Sequence, residues 1–136
     1  MKYPMKTIIT FGTFDLLHIG HVKILERAKQ LGDKLIVGVS SDEFNFLKKN
    51  HYPVYNETER MEIIKSIKYV DYVFLEESFE LKKKYIADYK ADILVMGSDW
   101  NGKFDDLGID VCIFDRTDNI STTETINKIS FSQNAH

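Results

Sequence analysis

The chain has 136 residues, a length that fits one domain with a sizeable hydrophobic core. Its formal net charge of −3 argues against a general nucleic-acid-binding protein, which would need a basic surface. The single cysteine, Cys112, excludes an internal disulfide, so a reducing, cytoplasmic location is expected. No apolar run approaches the ~20 residues that span a bilayer, and no membrane association is expected.

Segments with strand and helix signatures alternate along the chain. Runs rich in β-branched and aromatic residues predict strands at residues 6–10, 34–39, 72–75, 93–96 and 111–114. Periodicity and capping patterns predict helices at residues 22–31, 40–46, 57–67, 78–89 and 121–130, with a loop at residues 47–56. The alternation predicts an α/β fold: a single Rossmann-like domain over residues 1–130, with a five-stranded parallel sheet and helices on both faces. A disordered tail is expected at residues 131–136.

Several polar residues and one glycine are expected to set the element boundaries. Gly32 is predicted to end the first helix in a left-handed conformation. Ser40 and Glu43 have capping-box spacing, and Asn56 and Ser78 are expected to cap the two helices that follow them.

The stretch between residues 10 and 21 joins the first strand to the first helix. Gly12 is expected to allow a tight turn there, and Gly20 removes a side chain where the helix begins. A helix start offers unpaired N–H groups and positive partial charge, so it favours phosphate binding. His18 and His21 lie three residues apart at that position and are expected to face the same bound group. The alternatives are a helix cap or a zinc site, and no Cys or carboxylate stands at zinc-ligand spacing.

Polar residues also follow two later strands. Asp99 comes after the fourth strand and Arg116 after the fifth. Because parallel sheets bind ligands at the carboxyl ends of their strands, these residues and the histidines predict one site.

The histidine stretch resembles a known signature. Residues Gly12–Asp15 read G-T-F-D and residues His18–His21 read H-I-G-H, which is similar to the H-x-G-H signature of the nucleotidyltransferase superfamily. Those enzymes join a nucleoside triphosphate to a phosphate-bearing acceptor and release pyrophosphate. Class I aminoacyl-tRNA synthetases share the signature, but the chain is too short for their core and anticodon-reading domain and lacks their K-M-S-K-S motif.

A second motif favours cytidine. Residues Arg116–Thr123 read R-T-D-N-I-S-T-T and resemble the R-T-x-G-I-S-T-T motif of cytidylyltransferases, which holds the triphosphate. Asn119 replaces the family glycine, and asparagine tolerates a left-handed conformation. A plain loop with a helix cap at Ser121 is the alternative, and it is compatible with phosphate binding. Residues Met96–Phe104 resemble the family's M-G-x-D-W-x-G-K-F, which shapes the nucleotide pocket.

The resemblance implies roles for individual residues. It makes His18 and His21 the catalytic pair. It implies a CTP site formed by Thr13, Phe14, His18, His21, Asp99, Trp100, Arg116, Thr117, Ile120, Ser121, Thr122 and Thr123.

The resemblance also implies that lysines bind the acceptor. Lys48 and Lys82 align with family lysines that contact the acceptor, although each could also be an ordinary solvated surface charge. A further family lysine aligns with Asn50, and Lys49 is the candidate to replace it.

The resemblance is strongest to glycerol-3-phosphate cytidylyltransferases. It implies that CTP and glycerol 3-phosphate give CDP-glycerol and pyrophosphate, with Mg²⁺, in a homodimer that serves teichoic acid or related surface-polymer synthesis. No nucleic-acid partner is expected. Alternatives are another phosphorylated alcohol (ribitol, ethanolamine or choline phosphate), an adenylyltransferase of the same fold, or a catalytically silent nucleotide-binding module.

Overall fold

The computed structural model describes residues 5–97 and 107–114. These residues form five strands and four helices. The elements are β1 (Thr7–Gly12), α1 (Ile19–Gln30), β2 (Lys34–Ser40), α2 (Asp42–Lys49), α3 (Glu57–Lys65), β3 (Tyr72–Glu76), α4 (Lys82–Asp88), β4 (Ile93–Gly97) and β5 (Asp110–Phe114).

The five strands form one parallel sheet in the order β3-β2-β1-β4-β5. In the central strand, Ile9 pairs with Ile36 of β2 and with Leu94 of β4. The chain moves outward from β1 to β3 and then returns to the other side of β1, so the strand order reverses between β1 and β4. Ligands bind at such a switch point in open α/β sheets. The predicted five-stranded parallel sheet is confirmed.

Alternate residues of the strands pack on opposite faces of the sheet. On one face, Ile8 packs in a cluster with Leu25 of α1 and Ile64 of α3. On the other, Ile9 packs in a cluster with Ile86 of α4. Both faces are therefore covered by helices, which confirms the predicted layers and explains why the strands are almost continuously apolar.

The predicted loop at residues 47–56 is wrong at its start, because α2 continues to Lys49. Asn50 ends this helix in the left-handed conformation (φ 61°), with its N–H donating to the carbonyl of Phe46. Lys48 and Lys49 therefore lie in the last helical turn, where their charges are favourable to the helix dipole. The residue that caps the start of α2 is Ser41, not Ser40, which is the last residue of β2.

Other boundaries differ by a few residues. Gly32 is not left-handed; a Cβ there would lie 2.6 Å from the carbonyl oxygen of Lys6, so close packing requires the glycine. The hydroxyl of Ser78 accepts from the N–H of Leu81 at 3.3 Å in a turn, and regular α4 begins only at Lys82. Asn56 caps α3 as predicted, by accepting from the N–H of Glu59.

The predicted last helix, the tail at residues 131–136 and the domain boundary between them lie outside the described residues. Within the described ranges, the helices are all too short or too polar to cross a bilayer.

Candidate active site

Two histidines, His18 and His21, cap the start of α1, and we refer to them as the histidine cap. His18 is the N-cap residue in an extended conformation, and its Nδ1 accepts from the N–H of Gly20 at 3.1 Å. The N–H of His18 in turn donates to Nδ1 of His21 at 3.2 Å. This is the reciprocal pattern of a capping box, with histidines in place of the usual Ser/Thr and Glu/Gln. The two rings stack with their centroids 3.9 Å apart, so both predicted catalytic residues lie side by side.

The capping pattern sets where each ring carries its hydrogen. A nitrogen that accepts from a backbone N–H has no hydrogen of its own, so a neutral ring carries the hydrogen on Nε2. Burial, reinforced by the charges of His18 and Lys49, lowers the pKa of His21 to about 3. His21 is therefore neutral near pH 7 and can act as a hydrogen-bond donor through Nε2. It is unsuited to general acid catalysis, which needs a pKa near the working pH.

The loop between β1 and α1, at residues 13–18, is called the histidine loop here, and it contributes Phe14. Its ring meets the ring of His21 edge-on, with centroids 5.6 Å apart. The tight turn predicted at Gly12 comes instead from Phe14 and Leu16, which have positive φ values of 54° and 49°. Gly12 is needed for space, because a Cβ there would lie 2.9 Å from the ring of Phe14.

Asp15 links the histidine loop to the segment between α2 and α3 through hydrogen bonds. Its carboxylate is buried and accepts from the backbone N–H groups of Val54 (2.6 Å) and Tyr55 (2.9 Å). Asp15 could be recognised in the sequence only as part of a motif, because its partners lie 39 and 40 residues away along the chain. Its role in the fold is to fix the path of the loop that leads to the histidines.

Arg60 is a site-organising residue that the sequence analysis missed. It is fully buried, and its guanidinium donates to the carbonyls of Tyr55 (2.9 Å), Thr13 (2.8 Å) and Ser40 (2.8 Å) and to the carboxylate of Asp42 (2.7 Å). A signal was present in the sequence, since Arg60 stands four residues before Ile64 and therefore on the buried side of α3. Arg60 joins the histidine loop to the end of β2.

A cavity of about 130 Å³ lies next to this loop at the carboxyl ends of the strands. The residues that line it, most of them basic, acidic or aromatic, are Phe11, Gly12, Thr13, Lys48, Lys49, Glu76, Phe79, Lys82 and Met96. We refer to Lys48, Lys49, Lys82 and Glu76 as the lysine wall. The structure thus brings Lys48 and Lys82, which are 34 positions apart, onto one surface together with Thr13. Lys49 also lines the cavity, whereas Asn50 serves as the helix cap.

A chain of hydrogen bonds connects the lysine wall. Lys48 Nζ donates to the hydroxyl of Ser40 at 2.8 Å, and that hydroxyl lies 3.4 Å from Oε1 of Glu76. The other oxygen of Glu76 accepts from Lys82 Nζ at 2.5 Å, and both side chains are almost completely buried. Glu76 therefore holds Lys82 directly and is linked to Lys48 through one hydroxyl.

Burial makes both lysines weaker bases. It lowers the pKa of Lys48 to about 8; Glu76 opposes the shift, and the positive charges of Lys49, Lys82 and Arg60 add to it. Burial also lowers the pKa of Lys82, with Glu76 again acting in the opposite direction. Lys48 is therefore charged near pH 7 but loses its charge within the range in which enzymes are commonly assayed.

Part of the predicted site lies outside the described residues: Asp99, Trp100, Arg116, Thr117, Ile120, Ser121, Thr122 and Thr123. Among the residues that are described, no three His, Cys, Asp or Glu side chains are grouped as a metal site. The lysine wall, with three cations against one carboxylate, does not suit a cation either. The described side chains thus do not fit a protein-held Mg²⁺ ion.

Comparisons with known proteins identify relatives of this chain. A family model described as cytidylyltransferase-like matches residues 9–128. The chain is 50% identical to the glycerol-3-phosphate cytidylyltransferase of Bacillus subtilis, over 93% of this chain and 98% of that protein. It is 45% identical to the Staphylococcus aureus protein of the same name, over 88% and 92% of the two chains.

A solved structure shows the same fold. The lipopolysaccharide core biosynthesis protein from Thermoplasma volcanium superposes with a TM-score of 0.68 at 30% identity, over 84% of this chain and 98% of that one. The family match covers most of the sequence, and the relatives align along nearly their whole length. The chain therefore belongs to the cytidylyltransferase-like family.

Proposed function

We propose that this protein is a nucleotidyltransferase that joins CTP and glycerol 3-phosphate to give CDP-glycerol and pyrophosphate. The relatives of that name support the choice of substrates, since they align over nearly their full length. The single structural observation that carries the proposal is that the histidine cap lies near the lysine wall, at the carboxyl ends of the strands, where the charge of Lys49 acts on His21.

The charge of the lysine wall suits a phosphate monoester. Its three lysines and one glutamate carry a formal charge of +2 when all are ionised. A phosphate monoester carries a charge of about −1.5 to −2 at pH 7, since its second pKa is about 6. Lys48 and Lys82 are therefore proposed to bind the acceptor. Lys48 contacts its phosphate, Lys82 with its partner Glu76 lies beside its alcohol groups, and Lys49 takes the place of the family lysine that aligns with Asn50.

In the proposed reaction, an oxygen of the acceptor phosphate attacks the α-phosphorus of CTP. The new bond joins that oxygen to the α-phosphorus, and the bond from the α-phosphorus to the bridging oxygen breaks, so pyrophosphate leaves with the electron pair. No covalent enzyme intermediate is required, and catalysis consists of positioning and charge stabilisation. The Nε2–H groups of His18 and His21 would donate to phosphate oxygens as negative charge moves to the leaving group. Donors that are already oriented need no reorganisation during the reaction.

Other parts of the proposal rest on the family resemblance. The residues proposed to complete the CTP site are Asp99, Trp100, Arg116, Thr117, Ile120, Ser121, Thr122 and Thr123. Mg²⁺ is proposed to arrive with the nucleotide, since it is usually held by substrate phosphates with few protein ligands. A homodimer, a cytoplasmic location and a role in teichoic acid or related polymer synthesis are proposed on the same basis; light scattering of the purified protein would test the dimer.

Pyrophosphate release tests the reaction directly. The purified protein is incubated with Mg²⁺, glycerol 3-phosphate and each of CTP, ATP, GTP and UTP, with EDTA controls. We expect CTP to support far faster release than the other nucleotides and EDTA to abolish it. Equal use of ATP and CTP would refute the cytidylyl assignment, and tight CTP binding without pyrophosphate release would instead indicate a silent binding module.

A further inference from the structure

The ammonium group of Lys82 occupies an aromatic and acidic cage. Its Nζ lies 3.7 Å from the ring centroid of Phe11, 5.7 Å from that of Phe79 and 2.5 Å from Oε2 of Glu76. Lys82 itself is 3% exposed and Glu76 is 1% exposed. All four residues line the cavity beside the histidine loop.

Aromatic faces together with an anion are what proteins use to bind quaternary ammonium groups such as choline. Here the chain supplies its own cation to that arrangement. An acceptor with an ammonium group would have to displace Lys82 or place its charge next to it. A polyol phosphate brings no cation, so its hydroxyl groups can lie beside Lys82 and Glu76 without a charge conflict.

We propose that Lys82 is a specificity-determining residue that fills the Phe11–Phe79–Glu76 cage and thereby excludes phosphorylated amino alcohols in favour of phosphorylated polyols. This inference rests on the proposed function for the reaction itself. It adds the expectation that this chain rejects choline phosphate and ethanolamine phosphate. Like-charge repulsion at about 4 Å near a protein surface corresponds to roughly 10²–10³-fold discrimination.

An ordinary structural ion pair is the competing explanation for Lys82 and Glu76. That explanation predicts a loss of stability when Lys82 is replaced and no new preference for acceptors. The proposed role predicts, in addition, that the emptied cage gains affinity for a quaternary ammonium group, because Glu76 then lies buried without its ammonium partner. The two explanations therefore differ in a gain of binding, which a structural defect does not produce.

The test uses Lys82→Ala, which empties the space beside Phe11 and Phe79, and Lys82→Gln, which can still donate to Glu76 and keeps the variant folded if alanine does not. Lys82→Arg is the matched control that retains the cation, and Lys82→Gln with Glu76→Gln removes the anion of the cage. Pyrophosphate release is measured for each protein with CTP and glycerol 3-phosphate, choline phosphate or ethanolamine phosphate. Thermal stabilisation by choline phosphate is measured in parallel and needs no turnover.

For the wild type we expect turnover with glycerol 3-phosphate and at least 100-fold lower kcat/KM with choline phosphate. In Lys82→Ala or Lys82→Gln, kcat/KM for glycerol 3-phosphate should fall, while kcat/KM for choline phosphate should rise at least tenfold above its wild-type value. Choline phosphate should also stabilise these variants more than the wild type. Lys82→Arg and the double variant should show no gain.

Two results would overturn the inference while the proposed function stands. One is a wild type that uses choline phosphate as well as glycerol 3-phosphate; the other is a folded Lys82→Gln protein with no gain in turnover or thermal stabilisation by choline phosphate. A wild type that releases no pyrophosphate with any acceptor refutes the proposed function instead. In that case the thermal measurements alone decide whether Lys82 blocks a cage for ammonium groups.

Discussion

The histidine cap and the lysine wall lie close together but control charge in different ways. In the histidine cap, backbone N–H groups determine the hydrogen positions of the rings, and burial keeps His21 neutral. In the lysine wall, the carboxylate of Glu76 offsets the charge of Lys82 directly and is linked to Lys48 through the hydroxyl of Ser40. His21 is therefore expected to stay neutral near pH 7, whereas Lys48 in the lysine wall should contribute an alkaline pH dependence. The experiments below separate the two regions.

The largest expected effect comes from Arg60, which connects the two regions. Arg60→Met removes the donors to the carbonyls of Thr13 and Ser40 and the ion pair with Asp42. We expect the free energy of unfolding to fall by about 3–5 kcal/mol, since a buried pair loses one partner and carbonyls lose their donors. Urea denaturation measures this change.

The matched control for Arg60 is Lys65→Met, at an exposed position of the same helix. It should change the free energy of unfolding by no more than about 0.5 kcal/mol. Similar unfolding midpoints for the two variants would mean that Arg60 does not hold the regions together.

The second effect concerns the histidine cap. His18→Ala and His21→Ala should each lower kcat by ~10²–10³, the usual result of removing one oriented donor. Turnover with CTP and glycerol 3-phosphate measures this effect.

Two further substitutions separate capping from catalysis. Asparagine is a good N-cap residue and glutamine suits the third helical position of a capping box, so His18→Asn and His21→Gln can keep the cap. Neither supplies an imidazole Nε2–H group. We expect them to recover thermal stability but not kcat. Recovery of turnover in either variant would show that the residue acts only as a cap.

The five strands and their parallel arrangement could be predicted because continuous β-branched runs indicate buried parallel strands. The extension of α2 was missed because its end depends on Asn50 adopting a left-handed conformation, and asparagine also suits a loop. Arg60 was missed because a charged residue is normally assigned to the surface, and its partners come from three different segments. The histidine pair was predicted from its spacing, but its hydrogen positions follow only from the observed hydrogen bonds.

The third effect is a pH dependence from the lysine wall. The lowered pKa of Lys48, about 8, means that this lysine loses its charge above pH 8. We expect kcat/KM for glycerol 3-phosphate to fall above pH 8, by at most tenfold per pH unit, because this ratio reports the free enzyme. The same titration does not weaken the fold: Lys48 binds fewer protons when folded, so between pH 8 and 10.5 it raises the free energy of unfolding with pH.

Substitution at Lys48 tests the assignment of this alkaline limb. In Lys48→Arg the charge persists, so the fall near pH 8 should shift to higher pH. In Lys48→Met, kcat/KM should be low at every pH and should lack the limb. An unchanged limb in both variants would assign the pH dependence to another group.

The smallest expected effect concerns Thr13, which was predicted to contact CTP. Its hydroxyl donates to Oδ1 of Asn45 at 2.6 Å, so this side chain links the histidine loop to α2 and the lysine wall. A phosphate oxygen accepts hydrogen bonds but cannot donate them, so the hydroxyl could bind phosphate only by giving up Asn45. We therefore expect Thr13→Val to lower the free energy of unfolding by ~0.5–1.5 kcal/mol and to leave the KM for CTP within about threefold. Thr58→Val, at an exposed position of α3, is the control for the change of residue type. A KM for CTP raised tenfold or more, with stability unchanged, would show that the hydroxyl of Thr13 binds the nucleotide. The expected result would instead mean that only the backbone of Thr13 can contact CTP.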